Sequence, residues 1–162
     1  MLDAAQAMLA STQVPESQRE ALADGVVTYP EYEAAVRSTV ACPEEAGLTI
    51  LDQPHPDPSG TTLRYSFAAG LDLADAKRSN ATHRACYVEH QAAIDMMWSA
   101  QNTPSEDVFA QARQSLTQCL REALPDAAIP DGQVPDSVRG SEAFLPCIAG
   151  VQKQYGLPGF GG

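Results

Sequence analysis

Apolar residues recur at helical spacing over most of this chain. Tyr29, Tyr32, Val36 and Val40 lie three or four residues apart, and similar periods run through 79–101, 105–123 and 141–155. This spacing is typical of helices that bury one face. It predicts a mainly α protein, and 79–101 should be its longest helix.

One stretch has the period of a β-strand instead. Leu63, Tyr65 and Phe67 alternate with polar residues, and the turn-rich PHPDPSG separates them from LTILDQ. Alternation lets only one face of a strand be buried. The two segments predict a small β-hairpin over about residues 48–70. It must pack on the helices, because a lone hairpin is marginal in water.

The length of the chain is sufficient for one folded domain. It has 162 residues, of which 44% are hydrophobic and 19% charged, and this composition favours folding over disorder. The last apolar period ends at Gly156. We therefore expect a single helical domain over 1–156 and a flexible C-terminal tail over 157–162.

Four cysteines occur at intervals of 44, 33 and 28 residues, with no Cys-x-x-Cys pair. Such spacings suit disulfides between separate elements in an oxidising compartment, and the alternative is four buried thiols in a cytosolic core. Four cysteines allow three pairings. Because elements adjacent in sequence usually pack together, we predict Cys42–Cys86 and Cys119–Cys147, so the helical domain should be stapled by two disulfides.

The charge balance disfavours two classes of partner. The chain carries 21 acidic and 10 basic residues, a net charge of -11, whereas nucleic acid and anionic membranes require a positive surface. No stretch approaches the ~20 apolar residues of a membrane helix. The N-terminus lacks the pattern of a signal peptide, so an export signal would have been removed.

Residues 20–31, EALADGVVTYPE, resemble a calcium-binding EF-hand loop. Gly25 falls at the sixth position and Glu31 at the twelfth, as such a loop requires. Leu22 at the third position offers no side-chain oxygen. We expect no calcium binding here, and Asp24 and Glu31 are weak candidate metal ligands. Helix stop, turn and a Thr-x-x-Glu capping box explain the same residues.

A second candidate metal site lies in HRACYVEH. His83, Cys86 and His90 are three and four residues apart, so they project from one side of a helix. Imidazole and thiolate groups at this spacing could hold copper or zinc. In the competing interpretation Cys86 forms a disulfide and His90 packs in the core. Binding of metal, as a sensor or otherwise, is therefore the alternative function.

Signals for catalysis are weak. The chain has no Gly-x-Ser-x-Gly elbow and no glycine-rich phosphate loop, which are common sequence marks of nucleophilic and phosphate chemistry. Tyr29, Tyr32 and Trp98 could line a pocket, although aromatic residues at helical spacing are more typical of a core. We expect no enzymatic activity and no cofactor.

The stretch DGVVTYPEYEAAVRSTVACPEEAGL, followed by a hairpin and by CYVEH, is similar to uncharacterised exported proteins and lipoproteins of actinobacteria. The resemblance covers about residues 16–100. Abundant alanine, with lysine only at Lys77 and Lys153, suits a high-GC genome. The resemblance implies export and disulfides, and it implies no known activity.

Together these observations predict a non-enzymatic binding or interaction module that works outside the cytoplasm. It would be secreted or held at the cell surface, with its leader removed. Its ligand is not identified, and another extracytoplasmic protein would be a suitable partner.

Overall fold

A computed structural model describes residues 6, 7, 10 and 13–160. Two compact units emerge from its internal contacts. One comprises residues up to His55 together with Leu63–Thr103, and the other comprises Pro56–Thr62 together with the residues from Pro104 onward. Each unit has its own apolar core. The single domain over 1–156 stays a prediction.

The fold is mainly helical with one two-stranded antiparallel hairpin, as predicted. The first unit contains four helices and most of the hairpin within its described residues: α1 (Glu16–Arg19), α2 (Tyr29–Glu45), β1 (Ile50–Pro56), β2 (Leu63–Phe67), α3 (Leu73–His90) and α4 (Ala92–Gln101).

The hairpin lies inside the predicted range of 48–70. The Ala68 N–H donates to the Thr49 carbonyl at one end, and the Asp57 N–H donates to the Thr62 carbonyl at the other, both at 2.9 Å. The Asp57 carboxylate also accepts from the Gly60 N–H at 3.0 Å. Gly60 has a φ of +74°, which suits glycine. Local turn chemistry therefore sets the hairpin.

The long helix predicted over 79–101 is two helices. α3 begins earlier, at Leu73, because the Asp72 carboxylate caps it by accepting from the N–H groups of Ala74 and Asp75 at 2.8 and 2.9 Å. It ends at His90, and α4 starts at Ala92. The prediction of one continuous helix was wrong.

A buried glutamine bridges this helix break. The Gln18 side chain is 0% exposed. Its amide nitrogen donates to the carbonyls of Val88 and Glu89 at 2.9 and 2.8 Å, and its oxygen accepts from the N–H groups of Ala93 and Ile94 at 2.9 and 3.3 Å. Helix ends leave such groups without intrahelical partners. One side chain from α1 therefore satisfies the end of α3 and the start of α4.

Aromatic rings form part of the core of the first unit. The Tyr32 ring stacks on Trp98, with centroids 5.0 Å apart, and Tyr29 meets Trp98 edge-on at 6.0 Å. The Tyr32 hydroxyl accepts from the Leu63 N–H at 3.2 Å. These rings pack α2 against α4 and contact the hairpin; Tyr32 belongs to the buried core, and the partly buried Tyr29 and Trp98 pack against it.

The second unit is built on α5 (Glu106–Ala123), α6 (Asp136–Arg139) and α7 (Phe144–Tyr155), which follow the hairpin turn in the chain. Arg121 donates to the Ile129 carbonyl at 2.9 and 2.6 Å and holds the proline-rich connection. Leu157, which falls in the predicted tail, is buried at 1% exposure. The core is made mainly of Ala112, Leu116, Leu120, Ile129, Val138, Phe144, Ile148, Val151 and Leu157.

Each unit contains one disulfide. Cys42 on α2 pairs with Cys86 on α3, and Cys119 on α5 pairs with Cys147 on α7, with Cα atoms 5.8 Å apart in both. No cysteine of the chain is free. The predicted pairing is confirmed, and each bond joins helices that pack side by side.

A buried hydroxyl on α2 gives a test of the packing. Thr39 is 0% exposed, and its Oγ1 has no hydrogen-bond partner among the described residues. Thr39→Val should therefore raise the free energy of unfolding by up to about 1 kcal/mol, because a buried unpaired hydroxyl is costly. Urea denaturation measures it.

Thr117→Val is the matched control. Thr117 is 3% exposed, but its hydroxyl donates to the carbonyls of Arg113 and Gln114 at 3.1 and 2.9 Å. This variant should lose about 1 kcal/mol. Equal losses in both variants would show that the Thr39 hydroxyl is satisfied.

Candidate functional site

The three residues proposed to bind copper or zinc have separate roles. Cys86 is in a disulfide, so it supplies no thiolate. The His83 Nε2 is 2.8 Å from the Tyr65 hydroxyl, and its ring stacks on Phe67 with centroids 4.6 Å apart. His90 lines a cleft together with residues of α1 and α2, and His83 is not among the residues of that cleft. The predicted trio is therefore not a ligand set.

The carboxylates of the calcium-like loop accept hydrogen bonds from the backbone of the same loop. Asp24 accepts from the Val26 N–H at 3.0 Å. Glu31 accepts from the Thr28 N–H at 2.7 Å and from the Thr28 hydroxyl at 2.6 Å, in the predicted capping box. Across residues 13–160 no cluster of three or more His, Cys, Asp or Glu side chains could hold a metal ion.

The same loop is tied to α4 through its main chain. Gln101 accepts from the Val27 N–H at 2.8 Å and donates to the Val27 carbonyl at 2.9 Å. Val27 itself is 2% exposed. This paired amide fixes the loop as a structural connection between α1 and α2, with no need of an ion.

We expect no calcium binding by residues 20–31. Leu22 supplies no oxygen, and Asp24 and Glu31 already accept backbone hydrogen bonds. Titration calorimetry with calcium should give no heat beyond dilution. A micromolar site that Glu31→Gln abolishes would contradict this expectation. Melting-temperature shifts with zinc test the remaining metal alternative, since a ligand stabilises the fold that binds it.

Two of the candidate metal ligands meet at one cleft. Glu31 and His90 both line a cavity of about 310 Å³ in the first unit, whereas Asp24 and His83 do not. The lining of the cleft is mixed polar and apolar, and it consists of Ser17, Glu20, Ala21, Glu31, Ala34, Ala35, Ser38, His90 and Ile94. It is acidic, with no lysine or arginine among these residues.

Two hydrogen-bonded pairs lie around α3: Tyr65 with His83 connects the hairpin to α3, and Tyr87 with Asp95 connects α3 to α4. The Tyr87 hydroxyl donates to Asp95 at 2.8 Å. Burial, the charge of Asp95 and this hydrogen bond raise the Tyr87 pKa above its ordinary value. Burial, with smaller effects of Asp95 and Tyr32, raises the pKa of Tyr65 to about 12. Both phenols therefore stay protonated at neutral pH and act as packing and hydrogen-bonding groups rather than as bases.

His83, which pairs with Tyr65, should make stability depend on pH. Burial lowers the His83 pKa below its ordinary value of 6.5. As the pH falls, His83 is therefore protonated in the unfolded chain at a higher pH than in the folded protein. Stability from His83 is present above about pH 6.5 and is lost as the pH falls. Between pH 7 and pH 5 the melting temperature of the wild type should fall more than that of His83→Gln. Parallel curves for the two proteins would contradict this.

An exposed stripe runs along α3, which we call the outer face of α3: Leu73, Lys77, Ala81, Arg84 and Val88. All five residues are exposed, and their spacing of four, four, three and four residues places them on one side of the helix. At ~100° per residue this side is roughly opposite Cys86, whose disulfide holds α3 against α2.

α3 buries few of its residues. Of its 18 residues only Cys86 is fully buried. Leu73 and Val88 are 72% and 51% exposed, and Leu71, just before the helix, is 103% exposed. The apolar periodicity of the chain did not predict this exposed face. The sequence pattern that could have indicated it is the spacing that places Leu73 and Val88 on the same side of the helix as Lys77 and Arg84. Periodicity alone, however, does not show which side of a helix is covered by other elements.

No protein-family model, no curated protein and no solved structure matches the chain. The similarity to exported actinobacterial proteins therefore stays a prediction. Among the described helices, none combines the length and the apolar character needed to cross a membrane.

Proposed function

We propose that this protein is a non-enzymatic, extracytoplasmic interaction module that docks a protein partner on the outer face of α3. The observation that carries the proposal is the exposure of Leu73 and Val88 at the two ends of a helix with only one fully buried residue. Partner grooves bind one face of a helix, whose positions recur every three or four residues, as the five positions of this face do.

The packing of the first unit supports docking without refolding. The Cys42–Cys86 disulfide and the stacking of His83 on Phe67 hold α3 from one side. The outer face is then presented on a fixed scaffold, which lowers the ordering cost of binding. Exposed leucine and valine side chains lose water on contact and supply the driving force.

The proposed location rests on the disulfides. Two disulfides are present and no free cysteine remains, and such bonds persist in oxidising compartments. The resemblance to exported proteins agrees with this location. In the cleft lined by Glu31 and His90, the Ser17 hydroxyl donates to the Glu89 carbonyl, and no described hydrogen bond joins a serine of the cleft to His90.

Photo-crosslinking in the cells that produce the protein tests the proposal. A benzophenone amino acid replaces Ala81, in the middle of the outer face, and Gln111, which is exposed on α5, in the control. We expect a discrete protein adduct from position 81 that is absent from position 111. The adduct should disappear when Leu73 and Val88 are changed to Ser. No adduct, or equal adducts at both positions, would refute docking on this face.

A further inference from the structure

We infer that the partner of the outer face of α3 is an acidic amphipathic helix. This inference rests on the proposed function and names the chemistry of the partner. It is carried by the distribution of charge and by the two cations that lie between the apolar ends of the face.

The charge of the chain is divided unevenly. Residues 63–88 contain four basic residues, Arg64, Lys77, Arg78 and Arg84, against two acidic ones, Asp72 and Asp75. The rest of the chain contains 6 basic and 19 acidic residues. A net positive segment in a protein of net charge -11 is a local feature, because the composition as a whole favours negative surface.

The cations of the outer face have no acidic partner within the described chain. Arg78, on another side of α3, forms an ion pair with Asp75 at 2.7 Å. Neither Lys77 nor Arg84 forms an ion pair with a described residue. Both side chains are therefore available to carboxylates from outside.

The spacing defines a complementary helix. Lys77 and Arg84 are two turns apart, about 10.5 Å along the axis, and Leu73 and Val88 lie about one turn beyond them on either side. A partner with two carboxylates seven residues apart, and an apolar residue four positions outside each, matches all four groups. The pattern reads the same from both ends, so parallel and antiparallel partners fit equally.

Two other occupants fit the charges less well. A second copy docked through the same face in antiparallel fashion would place Lys77 against Arg84, and like charges repel. An anionic membrane normally binds clusters of 4–8 basic residues, whereas this face offers two within an acidic protein. An acidic helix satisfies both cations and covers both apolar ends.

A synthetic probe tests the inference. The probe is a fluorescent helical peptide with the pattern Leu-x3-Glu-x6-Glu-x3-Leu in an alanine and glutamine background. We expect it to bind the full chain, measured by anisotropy at low salt, and to bind K77E/R84E at least tenfold more weakly. A peptide with Lys in place of both Glu residues should prefer K77E/R84E over the wild type. R113E/K153E, altered at exposed positions of the second unit, has the same net charge and should bind the acidic probe like the wild type.

Several outcomes would overturn the inference. These are no binding of the acidic probe, equal loss of binding in both double variants, wild-type binding to anionic vesicles that K77E/R84E loses, or a concentration-dependent dimer that K77E/R84E abolishes. If position 81 crosslinks a protein but the acidic probe does not bind, the partner class is wrong and the proposed function stands. If position 81 gives no adduct, the proposed function itself fails.

Discussion

Replacement of both Cys42 and Cys86 by alanine should lower the free energy of unfolding by about 4 kcal/mol, because the bond closes a long loop in the unfolded chain. The sequence separation is 44 residues. The loss should fall on the first unit, since α3 buries little else than Cys86. Urea denaturation under non-reducing conditions measures it.

The matched control removes the other bond. Cys119 and Cys147 are 28 residues apart, so their replacement should cost slightly less, about 3.6 kcal/mol. The wild type should show no free thiol when denatured without reductant. Two or more titratable thiols would contradict both the pairing and the oxidising compartment, and a loss under about 1 kcal/mol in either variant would show that strain cancels the stabilisation.

Gln18→Leu should destabilise the protein by about 3 kcal/mol or more. The substitution introduces an apolar side chain of similar size and removes the hydrogen bonds to the Val88 carbonyl and to the buried N–H groups of Ala93 and Ile94. The Glu89 carbonyl loses one of its two donors and keeps the Ser17 hydroxyl. Each unsatisfied buried group costs ~1–3 kcal/mol, partly recovered by relaxation. Thermal and urea unfolding give the size of the loss.

Hydrogen exchange locates the effect. From the wild type to Gln18→Leu, the exchange rates of the Ala93 and Ile94 amides should rise more than those of the α2 amides, because the start of α4 loses its cap. Gln118 is exposed on α5, and its described side-chain hydrogen bond is to the exposed Glu122, so Gln118→Leu should change stability by less than about 0.5 kcal/mol. A Gln18→Leu protein as stable as this control would show that the amide is not needed at the helix break.

The sequence predicted those features of the fold that depend on neighbouring residues. Helical periodicity located α2, α5 and α7, and period-two alternation located β2, because buried faces repeat with the geometry of the backbone. The disulfide pairing followed from the tendency of successive elements to pack together. The capping of α2 by Thr28 and Glu31 was also readable, since its atoms lie within one turn.

Other features depend on residues far apart in the chain. No glycine or proline marks the break between α3 and α4. The side chain that hydrogen-bonds both helix ends there is Gln18, about 70 residues earlier in the chain. Glu31 and His90 were candidate ligands of two separate metal sites in the sequence. Tertiary packing brings them to one cleft.

The candidate docking face shows the same division between features that the sequence determines and features that depend on tertiary packing. By itself the sequence determined the amphipathic helices, the hairpin, the acid excess and the choice of cysteine partners, because these follow from local periodicity, composition and chain order. Tertiary structure alone decided that Leu73, Lys77, Arg84 and Val88 are uncovered. Exposure depends on where α2 and the hairpin pack around α3, and no spacing within a single helix records which of its sides its neighbours leave open.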